Sequence, residues 1–152
     1  MSLAFGWLML HSLNTEAAYP YTSGKGVRGA CNKSLAKGPV KVKSFKPVIP
    51  MMPSHLKSAI SQQPVSVAIA ASKTVFGHYK TGVITGSACG KLLDHGVLAV
   101  GYGTEGGVPY FLVKNSWTAN WGDKGYVKIG IESGAGVCGI NMTPHVPHAV
   151  AV

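Results

Sequence analysis

Between residues 64 and 131 the chain is a series of short apolar runs, each closed by a residue that bends the backbone. Val65, Val67 and Ile69 alternate with small residues, and apolar runs follow at 83–84, 97–100, 110–113 and 126–131, bounded by Gly, Asp or Asn. Runs this short with period-2 alternation suit strands and are too brief for helices. With 20 Gly and 9 Pro in 152 residues, a helical bundle is excluded. The expectation is an antiparallel sheet over residues 64–140, curled into a barrel.

The beginning of the chain reads differently. Residues 1–13 predict a helix with Leu3, Trp7 and Leu10 on one face and Ala4, Phe5, Leu8 and Met9 filling much of the rest. A helix apolar nearly all round is expected to be buried on more than one side, against partners elsewhere. The apolar run at 3–10 is far shorter than the ~20 residues of a membrane span, and no basic residue precedes it as a signal peptide requires. Residues 15–50 are loop-rich, with Tyr19-Pro20-Tyr21 and Gly24-Lys25-Gly26, and a lobe boundary falls near Pro47. A second helix starts after Pro53, with Ser54 as its N-cap and Leu56, Ala59 and Ile60 inward, and stops before Pro64. This gives residues 1–47 as a helical remnant and connector, and 48–152 as a β-barrel lobe with a C-terminal tail.

Charge and cysteine usage narrow the function classes. The formal net charge is +9, but only 5 acids are present, and the 14 bases are scattered. The densest run, Lys33, Lys37, Lys41, Lys43 and Lys46, is broken by Gly38 and Pro39 and reads as a solvated, extended connector rather than a nucleic-acid stripe. The cysteines Cys31, Cys89 and Cys138 are odd in number and form no C-x-x-C pair, so no compact zinc site is expected; in an oxidising compartment one pair can close. His145 and His148 read as part of a solvated tail rather than a metal site. Sequons at Asn32 and Asn141 are compatible with secretion. The stretch from Gly101 to Gly106 matches G-x-G-x-x-G, but Val108-Pro109-Tyr110-Phe111 after it is β-rich, where a dinucleotide site needs a helix. It reads as a hairpin turn.

The chemistry concentrates in residues 93–121. His95 heads an apolar strand, and Asn115-Ser116-Trp117 closes the next one, so a hairpin brings His95 and Asn115 together. An imidazole acting as a base needs its second nitrogen held by an acceptor, and a carboxamide oxygen does this without adding charge. Trp117 is placed to cover that bond. Asp94, one residue from His95, points to the opposite face and reads as surface solvation.

The wording of this region is specific. Leu93-Asp94-His95-Gly96-Val97-Leu98-Ala99-Val100-Gly101-Tyr102-Gly103, then Lys114-Asn115-Ser116-Trp117, Trp121-Gly122, Gly125-Tyr126 and Cys138-Gly139, resembles the papain-like cysteine peptidases, the family of cathepsin L and the plant thiol proteases. Tyr19-Pro20-Tyr21 and Gln63-Pro64-Val65-Ser66-Val67-Ala68 fit the same family, and the match runs from Met1 to about Pro147. The resemblance implies an α+β fold of a helical lobe and an antiparallel β-barrel lobe, with a peptide or protein substrate in the cleft; no cofactor, metal, nucleic acid or membrane is expected. It makes His95 the acid–base partner of a cysteine thiolate, Asn115 its orienter and Trp117 the shielding indole. It lines the pocket for the substrate residue two before the scissile bond with Ala68, Gly96 and Thr143. It pairs Cys89 with Cys138, pairs Cys31 with a cysteine of the N-terminal lobe, and implies a lysosomal, vacuolar or secreted enzyme.

One departure matters. In this family the catalytic Cys lies about 130 to 150 residues before the His and Asn, which from His95 projects upstream of Met1. Nothing in the 152 residues resembles the family's Gln…Cys-Gly-Ser-Cys-Trp segment. The chain is therefore expected to be the C-terminal part of a cysteine endopeptidase, inactive without its N-terminal lobe. The alternative is a non-catalytic peptide- or protease-binding module derived from that family.

Overall fold

The computed structural model describes residues 1–35 and 37–152. In chain order the elements are α1 (Ser2–Leu10), β1 (Val40–Pro47), α2 (Pro53–Ile60), β2 (Val65–Ile69), α3 (Thr74–Gly77), β3 (Val83–Ile84), β4 (His95–Glu105), β5 (Val108–Lys114), β6 (Tyr126–Gly130) and β7 (His145–Ala151), with 3-10 turns at Lys33–Leu35 and Val137–Gly139. They divide into two compact units, one of Lys46–Val146 with Met1, the other of Ser2–Phe45 with Pro147–Val152. The C-terminal residues read as a solvated tail therefore form a strand, β7. His145 and His148 are three apart on it and so point to opposite faces, unlike the side-by-side pair a metal site needs.

In the larger unit the strands lie in the order β7-β2-β4-β5-β6-β3. Alternation decides their facing: Val65, Val67 and Ile69 of β2 are each 0% exposed, and they pack with Val97 and Ala99 of β4, Phe111 and Val113 of β5, and Val127 and Ile129 of β6. The β2–β4, β4–β5 and β5–β6 pairs are antiparallel. β3 differs, pairing in parallel with β6 through Val83 opposite Lys128 and Ile84 opposite Ile129. The sheet is thus mixed, correcting the wholly antiparallel expectation. No tight turn joins β3 to β6, since the β4–β5 hairpin intervenes, and nothing local imposes the antiparallel direction.

That hairpin turns only at the end of the glycine-rich motif: residues 101–105, expected in the turn, continue β4. Glu105 pairs with Val108, and the two residues between them, Gly106 at φ 56° and Gly107 at φ 81°, both occupy left-handed backbone. A two-residue turn with positive φ at both positions matches the twist of the strands it joins. The register shifts between Ala99 and Gly101, a bulge that leaves Leu98 opposite Lys114 at the other end of the hairpin.

α2 is capped by Met52, not Ser54, and no side chain bonds its first turn. Pro53 explains the difference: it has no N–H to cap and its fixed φ suits the first helical position. Leu56 and Ile60, one turn apart, are buried against β4 and β2. Burying Leu56 stabilises the unit by about 1.5–3 kcal/mol. Cys89 and Cys138, 4.9 Å apart at Cα, form a disulfide that joins the loop before β4 to the 3-10 turn Val137–Gly139.

The smaller unit holds α1, β1 and the rest of β7, with β1 beside β7. None of the nine residues of α1 is buried, and Leu3 and Leu10 are 92% and 79% exposed, so burial on more than one side is not realised in this chain. Within the smaller unit Phe5 lies 5.6 Å from Phe45, and Trp7 stacks on His11 at 4.0 Å. The lysine run read as a connector is partly strand. Lys41 and Lys43 of β1 alternate with Val42, which is 3% exposed, so the period-2 pattern decided against the charge.

Candidate active site

The hairpin register builds the site. Leu98 pairs with Lys114, so His95, three residues before Leu98, and Asn115, immediately after Lys114, arrive at the same end of the β4–β5 pair. On the other side His95 is registered with Ile69 of β2. His95 Nε2 lies 2.8 Å from Asn115 Oδ1. Asn115 is itself held, its backbone N–H donating to Gly125 O at 2.9 Å, and it is 8% exposed.

The geometry fixes which ring nitrogen carries the proton. Asn115 Oδ1 also accepts the backbone N–H of Ser116 at 2.8 Å. A peptide N–H only donates, so the atom facing it is the amide oxygen, and the same oxygen accepts from His95 Nε2–H. Nδ1 is left as the nitrogen with a lone pair, free to take and return a proton.

An aromatic wall stands around the ring. Trp117 lies 5.0 Å from His95, tilted by 33°, while remaining 40% exposed, so the indole shields the pair on one side and meets solvent on the other. Phe76 of α3, fully buried, sits edge-on to His95 at 6.1 Å and to Trp117 at 5.5 Å. Trp121 packs on Phe76 at 5.0 Å and donates its indole N–H to Gly77 O at 3.1 Å, tying the wall to α3. Tyr79 extends it, 5.9 Å from Trp121, with its hydroxyl donating to Gly82 O; burial above all pushes its pKa upward.

Phe76, Trp121 and Tyr79 carry no role in the sequence reading. α3 spans only Thr74–Gly77, too short to show a periodicity, and lies within residues 64–140, which the sequence reading gives to the antiparallel sheet. Trp121-Gly122 was legible only as part of the family wording.

Asp94 also differs from its expected part. It is exposed, but its carboxylate accepts the N–H of Ala71 at 2.7 Å, and this bond, with further bonds from Ser72, holds its pKa below the usual carboxylate value. Its own N–H donates to Ile69 O at 3.1 Å. Asp94 therefore ties the segment after β2 to the residue preceding His95 and positions the strand on which the imidazole sits.

Of the residues expected to contact substrate, Ala68 and Gly96 pair directly across β2 and β4. Gly96 is exposed, and a Cβ added there would meet nothing within 4 Å. Thr143, also exposed, stands two residues before His145, whose partner Ser66 stands two before Ala68, so antiparallel progression along β7 and β2 leads from one to the other. A groove of about 450 Å³, bordered by Ser66, Gly96, Leu98, Lys114 and Asn115, runs beside the pair. Cys31, the remaining cysteine, is an exposed free thiol of the smaller unit.

A histidine of fixed tautomer, oriented by an amide and screened by an indole, keeps one ring nitrogen able to take up and return a proton. Comparison with known proteins shows the family. The profile of the papain family cysteine proteases matches residues 1–148. Germination-specific cysteine protease 1 of Arabidopsis thaliana is 44% identical over 152 residues, covering 97% of this chain and 39% of that protein. The KDEL-tailed cysteine endopeptidase CEP2 of the same plant is 42% identical over 151 residues, covering 97% of this chain and 41% of that protein. The solved structure of the bromelain protease from Ananas comosus in complex with the E64 inhibitor superposes with a TM-score of 0.83 at 34% identity, over 95% of this chain and 66% of that one. The chain belongs to the papain family of cysteine proteases and has its α+β fold. It spans about two-fifths of the length of the curated relatives it matches.

Proposed function

We propose that these residues are the His- and Asn-bearing part of a papain-like cysteine endopeptidase, and that the 152-residue chain by itself does not hydrolyse peptides. The observation that carries the reading is the 2.8 Å bond from His95 Nε2 to Asn115 Oδ1, which leaves Nδ1 as the working nitrogen. In the reaction this implies, a cysteine thiolate attacks the scissile carbonyl carbon, the C–N bond breaks, and the imidazolium returns its Nδ1 proton to the leaving amine. Water then attacks the thioester carbon, giving a proton to the same nitrogen; the C–S bond breaks, the acid leaves, and the sulfur departs as the thiolate beside the imidazolium. Asn115 holds the ring plane throughout, and Trp117 keeps water from the bond that does so.

The thiol is the part these residues do not supply. Cys89 and Cys138 are joined to each other, and Cys31 belongs to the smaller unit and to no segment resembling the family's nucleophile motif. The substrate residue two before the scissile bond meets Ala68, Gly96 and Thr143 in this reading. Small walls and a neutral floor favour Leu, Val or Phe, whereas an Arg there would be desolvated without a counter-charge. An oxidising luminal compartment, vacuolar, lysosomal or secretory, is supported by the disulfide and by the KDEL-type retrieval signal in one relative's name.

Dipeptidyl fluorogenic substrates test the reading. The chain alone is expected to show no cleavage above a His95→Ala control. Cleavage that exceeds the control and is abolished by a thiol alkylator would mean that one of the three cysteines is the nucleophile.

A further inference from the structure

The two N-x-S/T sequons begin at Asn32 and Asn141, and the fold treats them in opposite ways. Asn32 is exposed, just before the 3-10 turn Lys33–Leu35. Its backbone N–H donates to the Tyr19 hydroxyl at 2.8 Å, and its Oδ1 accepts both the N–H of Ser34 at 3.1 Å and the Ser34 hydroxyl at 2.7 Å. These bonds fix the backbone and the amide oxygen while using neither hydrogen of Nδ2, which has no acceptor among the described residues. The conformation of the turn is thus held by atoms that a substituent on Nδ2 leaves untouched.

Asn141 is 1% exposed, and Nδ2 spends its hydrogens on Glu132 O at 2.9 Å and Gly134 O at 3.0 Å. The space is closed as well: a Cβ built on Gly136 would come within 2.6 Å of the same nitrogen. A sugar on Asn141 would remove one of two buried hydrogen bonds and has no volume to enter.

We propose that Asn32 is an N-glycosylation site and that Asn141, despite its sequon, is unoccupied in the folded chain. The donor is an oligosaccharide carried on a polyprenyl diphosphate. Nδ2 of Asn32 bonds to C1 of the first sugar, the C1–O bond to the diphosphate breaks, the polyprenyl diphosphate leaves with the electron pair, and one Nδ2 proton passes to the transferase. Natural occupancy rests on the luminal compartment proposed above; the test supplies its own secretion signal, so its failure is separate from a failure of that reading.

The chain is expressed behind a cleavable signal in a eukaryotic host, and both the total luminal chain and the soluble folded fraction are treated with a peptide-N-glycosidase in ¹⁸O water and mapped by mass spectrometry. The expected result is an ¹⁸O-labelled Asp at position 32 in both fractions and unmodified Asn141 in the soluble one. Asn32→Gln and Ser34→Ala lose the whole glycan mass, and Asn141→Gln keeps it. Unmodified Asn32 in the total chain, a glycan at Asn32 confined to insoluble material, or a glycan at Asn141 in the soluble fraction would each overturn the proposal.

Discussion

Two apolar segments of this chain meet opposite fates. Val65, Val67 and Ile69 of β2 are 0% exposed, whereas Leu3 and Leu10 of α1 are 92% and 79% exposed. Apolar content does not separate them, for each segment is apolar at all but one or two positions. What separates them is facing. β2 shows all its large side chains to one side, where β4, β5 and β6 show theirs, so the larger unit closes a core from its own residues. α1 is apolar around its circumference, and covering such a helix takes elements on several sides.

The contrast predicts unequal costs for truncating side chains. Phe111→Ala, at a fully buried position of β5, should lose about 3–5 kcal/mol in denaturant unfolding, because it opens a cavity in a packed sheet. Leu3→Ala should stay within about 0.5 kcal/mol, as for other surface changes. Comparable losses at the two positions would break the comparison.

A comparable effect follows from the cross-link within the larger unit. Cys89 and Cys138 are 49 residues apart in sequence. Closing a loop of that length stabilises by about 4 kcal/mol in the chain-entropy model, with measured values commonly about 2–4. Cys89→Ser together with Cys138→Ser should lower the unfolding midpoint accordingly, and an unchanged midpoint would remove the disulfide from the account of why this unit holds together.

The exposed face of α1 makes a different kind of prediction. A contiguous apolar patch marks an association site. Leu3→Glu with Leu10→Glu should shift the chain at micromolar concentration toward monomer in sedimentation velocity while leaving the unfolding midpoint in place. A wild-type chain that is already monomeric would show that α1 is no such site.

Asp94 gives the finest test of the larger unit. Its pKa is lowered on folding, so its stabilising contribution is full above the unfolded value near about 3.9 and is lost as pH falls through the folded value. The stability gap between wild type and Asp94→Asn should be level above about pH 5 and close as pH falls below about 4. A gap that widened in acid would have the wrong sign for a carboxylate accepting the Ala71 N–H.

Legibility in the sequence followed how locally each feature is encoded. The alternation at 65–69, the presence of a hairpin between β4 and β5 and the convergence of His95 with Asn115 all depend on neighbours within one strand or one hairpin, and all could be read. β1 and β7 could not. Lys41 and Lys43 masked the alternation around Val42, and Pro147 with two histidines made β7 look like a tail. The parallel pairing of β3 with β6 and the seat of Phe76 beside His95 are tertiary facts with no local signature. The same holds for Asp94, whose partner Ala71 lies 23 residues away.

In the proposed reaction His95, oriented by Asn115, serves a thiolate that these residues do not contain. Placing a papain-family segment with the Gln…Cys-Gly-Ser-Cys-Trp motif in frame before Met1, and measuring kcat/KM on a dipeptidyl substrate with and without a thiol alkylator, tests it most directly. The fusion should gain alkylator-sensitive hydrolysis that falls at least about 10²-fold in His95→Ala, the scale of a lost general acid–base group. Alkylator-sensitive hydrolysis undiminished in His95→Ala, or a folded fusion without any, would contradict the claim.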